Sequence, residues 1–336
     1  MTEPIIEPGH EFERIDVTSA AHIDRDCASQ PFWRDVLSRF AGNRGAVFGA
    51  VTILVIVVLA AFGPGMNEHA YNDVNILHQN LAPRIPVIER LGVFDGGERR
   101  VNRYRQKGLD DVYYWFGTDT FGRDQWTRTW MGTRISLYIA FVAVLIDMLI
   151  GMSYGLTSGY FGGTTDMIMQ RVLEVVNGIP TLIIVTLLML VMPPGLNSII
   201  LALLITGWVG MSRVARAQML KLREQEFVLA SRTLGAGHFA IIFRDVLPNI
   251  FGQLVTMSMF SIPNAIFSEA FLSFVGLGVP APMASLGSLI NDGYKSFLMH
   301  PYMLVFPAMV LALLMLSFNL LADGLRDAFD PRMQEV

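Results

Sequence analysis

The sequence predicts an all-α membrane protein with six transmembrane helices. Hydrophobic residues fill 52% of its 336 positions and charged ones 16%, and the mean hydropathy is +0.45. An ordinary soluble domain is less apolar and more charged than this. Two long stretches, Val175 to Ser212 and Val246 to Ser268, contain no Asp, Glu, Lys or Arg. A hydrocarbon core of about 30 Å asks for roughly 20 such residues per helix. A charged, amphipathic block from Arg223 to Pro248 joins the two stretches.

The elements follow in order. Residues 1–45 form a polar tail. It lacks a short basic start followed by an apolar core, so no cleavable signal is expected and the first span serves as its own insertion signal. That span is placed at residues 46–62, Ala46 to Phe62. Residues 63–134, with Pro83, Pro86, Gly92 and Gly96-Gly97, read as a small irregular cap on the membrane. A five-helix core, 135–323, holds spans at Ile135 to Leu156, Val172 to Met192, Ser198 to Met219, Ile250 to Phe274 and Met303 to Leu321. Pro193-Pro194-Gly195 separates the third span from the fourth, because consecutive prolines remove backbone donors. Pro180 and Pro263 are expected to kink their helices. Residues 220–248 form a loop inside this core and 324–336 a C-terminal tail.

Orientation rests on the short flanks. Arg34, Arg39, Arg44, Arg171, Arg213, Arg216, Lys221, Arg223, Arg232, Arg244, Arg326 and Arg332 all fall on one side of the alternating arrangement, which marks that side as cytoplasmic. The basic residues of 63–134, Arg103, Arg105 and Lys107 among them, carry little weight, because loops longer than about 60 residues translocate largely regardless of charge. The chain is therefore expected in the cell membrane, with both termini and the 220–248 loop inside and the 63–134 loop outside.

Several classes are excluded. There is no G-x-x-x-x-G-K-[ST], no H-E-x-x-H and no Cys/His cluster, and His10, His22, His69, His78, His238 and His300 are scattered. The single cysteine, Cys27, has no partner for an internal disulfide. No catalytic residue, metal ligand or cofactor is expected in this chain, and no nucleic-acid partner. The net charge of −4 says little, because in a membrane protein the location of charge matters more than its sum. Energy must come from a gradient or from another subunit.

Within the 220–248 loop, Phe227, Ala230 and Leu234 recur at i, i+3, i+7. Phe239, Ile242, Phe243 and Val246 repeat the period beyond Gly235-Ala236-Gly237. This reads as helix, glycine break, helix. A plain connector needs neither the period nor the break, so the pattern favours a partner-binding helix pair. A side chain at Gly235 is expected to intrude on the turn or on the docking groove.

The approach to the second span reads Phe116-Gly117-Thr118-Asp119-Thr120-Phe121-Gly122-Arg123-Asp124, then Gly132-Thr133-Arg134-Ile135-Ser136-Leu137. Physically, Gly117 and Gly122 permit turns, and Asp119, Arg123 and Asp124 can pair with one another; a structural cap is favoured over ligand binding. The pattern G-T-D-x-x-G-R-D-x-x-x-R with G-x-R-x-S-L resembles the oligopeptide/dipeptide/nickel family of ABC-importer permeases, C-type subunit. Phe32-Trp33-Arg34 with Arg39-Phe40 and Asn43 resembles its pre-membrane helix, and Gly159 to Gly163 with Asp166 and Arg171 its loop between spans two and three. Phe271 to Val279 and Phe318 to Arg332 resemble its last two spans. The type I importer fold is what this resemblance implies.

The loop resembles the family's E-A-A-x-x-x-G segment with I-x-L-P after it. Ala230, Ser231, Gly235, Leu247 and Pro248 fall on the pattern, with Ala236, Gly237 and His238 beside them. Leu229 stands where the motif has glutamate and Asp245 where it has isoleucine; Glu226 is the nearest acid. By resemblance, the helix near Gly235 inserts into a groove of an ATP-binding subunit. The implied partners are a second homologous permease, two ATP-binding subunits that hold the ATP and Mg, an extracellular solute-binding protein and a peptide cargo, all within membrane lipid.

Polar residues inside the spans are candidates for the translocation path: Asp147, Asn264 and Glu269. A carboxylate at mid-bilayer costs at least about 2.5 kcal/mol unless paired or hydrated. Asp147 therefore reads either as a path acid that meets a peptide ammonium or as a packing carboxylate satisfied by another helix. Glu174, Asn177 and Asn319 lie nearer span ends.

The expected function is a non-catalytic permease subunit of an ATP-driven importer for oligopeptides or dipeptides. The alternatives are the same machine importing nickel or a glycoside, and a gradient-driven secondary transporter with Asp147 as its proton site. Against the last stand the docking loop and the lack of an evident inverted repeat.

Overall fold

A computed structural model describes residues 32–86, 88–92, 94–98, 101–193 and 195–329. Cys27, Pro194 and Asp330 to Arg332 lie outside them. Helix α1 (Phe32–Gly42) leads to Asn43, whose side-chain oxygen accepts from the Ala46 amide at 3.1 Å and so starts α2 (Arg44–Phe62). The first span thus begins at Arg44, within the stretch read as a tail. Its outward face, including Phe48, Val51, Leu54 and Val58, is apolar and exposed, as a lipid-facing helix requires.

The cap that follows has a small core of its own. Strands β1 (Gly97–Glu98) and β2 (Val101–Asn102) pair antiparallel, and α3 (Arg103–Lys107) follows directly. Leu81, Tyr104 and Tyr114 are buried together, and the Tyr104 hydroxyl donates to the Ala82 carbonyl at 2.9 Å. Burial, then the Asp124 charge, pushes the Tyr114 phenol up to about 12. Its hydroxyl lies 2.6 Å from His78 Nδ1.

Helix α4 (Gln125–Phe161) is 37 residues long. It starts ten residues before the expected Ile135, because the Asp124 carboxylate caps it by accepting from the Thr127 amide at 2.9 Å. The 63–134 boundary is corrected accordingly: hydropathy finds the lipid-facing part of a helix, whereas its hydrogen bonds run on into polar surroundings. Likewise α7 (Leu196–Leu222) and α11 (Tyr302–Phe329) extend past their expected ends.

The third span, expected as one helix over Val172 to Met192, is two: α5 (Gly163–Gly178) and α6 (Thr181–Val191), bent by 77°. Pro180 has no N–H and forces Ile179 into an extended conformation (φ −88°, ψ 121°), so the expected kink is a full break. Helix α8 (Glu226–Thr233) precedes α9, which runs unbroken from His238 to Phe274 with a π-turn at Ile241–Val246. Helix α10 (Leu286–Lys295), between spans five and six, was not anticipated. It is capped reciprocally by Ser285 and Ser288, a hydroxyl version of the usual Ser…Glu capping box that the sequence reading passed over.

Among the described residues five helices are long and apolar enough to cross a membrane, and the bent α5–α6 pair makes a sixth. Helices α4 and α7 form the central pair. Gly151, Gly155 and Gly159 recur every four residues along α4 and lie against the backbone of Trp208, Ser212 and Arg216 on α7. A Cβ on Gly155 would sit 2.1 Å from the Ser212 carbonyl oxygen. Small residues at this spacing let two membrane helices approach to backbone contact.

Candidate functional site

The 220–248 loop sits at the end of the α4–α7 pair away from the cap. Val228 of α8 is fully buried and packs with Met219, Tyr160, Ile241 and Ile242. The face read from the sequence points the other way: Phe227 and Leu229 are exposed, Leu234 is 88% exposed and Phe239 is 75% exposed. Glu226, Ala230, Gly235, Gly237, His238 and Pro248 are exposed, and Ser231, Ala236 and Leu247 half-buried. The stripe is apolar and turned away from the chain's own core.

Two corrections arise here. The second helix of the expected pair is not separate but is the first turns of α9. Its apolar residues also divide between two faces, with Ile242 and Val246 buried and Phe239 stacked on Phe243 outside. Positions four apart share a helix face, so Ile242 and Val246 fall on one side and Phe239 and Phe243 on the other. The π-turn over Ile241–Val246 lies just ahead of Pro248, which has no N–H.

The turn between α8 and α9 closes on backbone bonds: the Leu234 amide donates to Ala230, Gly235 to Arg232 and Ala236 to Ser231, at 3.0, 3.1 and 3.0 Å. Gly235 has φ +80°. An added Cβ there would meet nothing within 4 Å, so within this chain a side chain strains the left-handed backbone rather than a groove. The turn is pinned to α4, because His238 Nδ1 and the Tyr160 hydroxyl lie 2.9 Å apart and the Arg232 guanidinium lies over the Tyr160 ring. One step inward, Arg216 of α7 forms a fork on Asp166 of α5 at 2.6 and 2.5 Å, and the Ser158 hydroxyl of α4 donates to the same carboxylate. Three helices, α4, α5 and α7, therefore meet beneath the exposed face.

Midway along the bundle lies a cleft of about 320 Å³ between α4, α6, α7 and α9. Asp147 and Asn264 line it. Glu269 does not: it is fully buried, accepting from the hydroxyls of Ser136 and Ser273 at 2.7 Å each, while Ser136 Oγ in turn accepts from the Leu286 amide. Its carboxylate joins α4 to α9 and α10, a packing role that sequence spacing could not separate from a path-lining one.

The cap motif uses its polar atoms internally. Asp119 accepts from the amides of Phe121 and Arg123 at 2.8 and 2.9 Å and from Arg123 Nε at 2.6 Å. Thr118 bonds Leu81 and His78, and the Tyr302 hydroxyl donates to its carbonyl. Gly117 and Gly122 both have positive φ, and a Cβ on Gly122 would overlap the Asn75 carbonyl. Asp124 departs from the expected charge pairing, since it caps α4 and accepts from Asn67 Nδ2 at 2.7 Å. Asp119→Ala takes from Arg123 and the buried Arg128 their nearest carboxylate and leaves Asp292 as the neighbouring acid, a loss of about 3 kcal/mol. Limited proteolysis of the purified protein is expected to cut the cap at least tenfold faster in that variant.

Comparison with known proteins gives a consistent result. Residues 148–335 match the family described as binding-protein-dependent transport system inner membrane component, and residues 31–83 match the N-terminal TM domain of oligopeptide transport permease C. The oligopeptide transport system permease protein OppC of Bacillus subtilis (strain 168) is 40% identical over 307 residues, covering 91% of this chain and 92% of the relative. The dipeptide transport system permease protein DppC of the same organism is 42% identical over 307 residues, covering 91% and 88%. The oligopeptide permease OppC of Escherichia coli (strain K12) is 35% identical over 300 residues, covering 89% and 91%. A solved chain of the inward-facing MetNI methionine ABC transporter has a TM-score of 0.50 at 18% identity, over 59% of this chain and 95% of that chain, a likeness of fold.

Proposed function

Because the chain belongs to the family of binding-protein-dependent transport system inner membrane components, we propose that it is a permease subunit of an ATP-driven importer for oligopeptides or dipeptides. The cargo is inferred from the names of its relatives. The observation that carries the mechanism is the exposed apolar stripe of Phe227, Leu234 and Phe239, set on a turn that is itself pinned to α4. A face held rigidly from behind and docked in a moving ATPase must move with it, and α9 leads from that face unbroken into the bundle.

In this reading the chain performs no chemistry. Two ATP-binding subunits hold ATP and Mg, a second permease completes the path, and an extracellular solute-binding protein delivers the peptide. Co-purification followed by peptide uptake into vesicles tests it: uptake is ATP-dependent and blocked by vanadate. Uptake driven by a proton gradient without ATP would instead establish a secondary transporter.

The proposed topology places the cap outside and the docking turn inside. A cysteine at Asn80, in the cap, is expected to react with an impermeant maleimide on intact cells, and one at Thr233 only after permeabilisation. The reverse pattern would invert the assignment.

A further inference from the structure

Among the described residues the lining of the mid-bundle cleft includes Asp147 of α4, Thr181 of α6, Thr206 and Gly207 of α7, and Ser261 and Asn264 of α9, with one acid and no Lys, Arg or His. Asp147 Oδ1 is buried without a hydrogen-bond partner. The packing alternative required a satisfying group on a neighbouring helix, and none of the described residues supplies one.

The carboxylate lies close to the backbone of a neighbouring helix. A Cβ on Gly207 would lie 1.9 Å from Asp147 Oδ2, so the carboxylate stands directly against α7 where glycine leaves it room. Asp147 is half-buried, a carboxylate oxygen buried without a donor is costly, and hydroxyls such as those of Thr206 and Ser261 can accept as well as donate. A compact cation with several N–H donors complements such a lining.

We propose that the Asp147 cleft binds the amino-terminal ammonium of the peptide cargo. The inference rests on the peptide-import reading. The three N–H donors of a primary ammonium match one carboxylate oxygen and the acceptors around it, whereas an acetylated amino terminus brings neither the charge nor the donors. A desolvated monovalent metal ion shares the charge, so the test must separate the two sources.

The assembled importer is reconstituted into vesicles, and two measurements are made. ATP-driven uptake of trialanine, normalised to complex abundance, is expected to fall about tenfold in Asp147→Asn and to recover in part in Asp147→Glu, which keeps the charge. In the wild type, modification of Asp147 by dicyclohexylcarbodiimide, followed by mass spectrometry, is expected to be slowed by trialanine. Neither N-acetyl-trialanine nor replacement of choline by sodium is expected to slow it. Protection by sodium alone, equal protection by the acetylated peptide, or full uptake in Asp147→Asn each overturns the ammonium site while the import reading stands. No uptake by the wild type overturns both.

Discussion

Gly235→Val is expected to abolish ATP-driven uptake while leaving the protein in the membrane at normal abundance. The turn at Gly235 has φ +80°, a conformation that costs an L-residue about 1–2 kcal/mol and a β-branched one more. The rest of the chain offers no obstacle, since an added Cβ meets nothing within 4 Å. The fold therefore tolerates the change, and the turn relaxes instead. Its relaxation redirects Leu234 and Phe239, the most outward residues of the stripe. Gly235→Ala, strained less, is expected to lose only part of the activity. Co-purification of the ATP-binding subunit alongside uptake is the measurement. Wild-type uptake in the valine variant would remove the turn from the coupling path.

The second large effect is expected from Gly155→Leu, and it falls on assembly. The atoms in the way are the Ser212 carbonyl oxygen at 2.1 Å and the Ala215 Cβ at 2.8 Å. These belong to the backbone and first carbon of α7, so no rotamer change relieves them and the helices must separate. Overpacking of this kind costs about 1–3 kcal/mol and more where the backbone is the obstacle. The abundance of folded protein in membranes, read by detergent extraction and gel filtration, should drop more than tenfold. Gly210→Ala is the control, because its added Cβ meets nothing within 4 Å. Equal abundance of the two variants would mean that α4 and α7 are not in backbone contact.

The cap motif and the docking loop differ in how legible they were. Around Asp119, charge alternation and two glycines sufficed to suggest a self-satisfied turn, because the bonds its carboxylate accepts from Phe121 and Arg123 come from within four residues. Asp124 was misjudged because a capping carboxylate and an ion-paired one look alike in sequence. In the loop, the period of Phe227, Ala230 and Leu234 was visible, but period alone does not tell a buried stripe from an outward one. Val228, one position away, is the residue that is buried.

By itself, the sequence determined what is local or additive: the membrane class from apolar content, the number of spans from uncharged runs, the family from motifs carried in short segments, and the positions of the breaks from Pro180 and Gly235. These follow because backbone satisfaction in a bilayer and φ preferences act residue by residue. Only the tertiary structure decided which polar groups share a space. It enclosed Glu269 among the serines of α4 and α9 and left Asp147 Oδ1 unpartnered in a cleft. It also placed the glycines of α4 against the backbone of α7. Such facts depend on the angle and depth at which helices distant in sequence pack, and hydropathy carries no information about either.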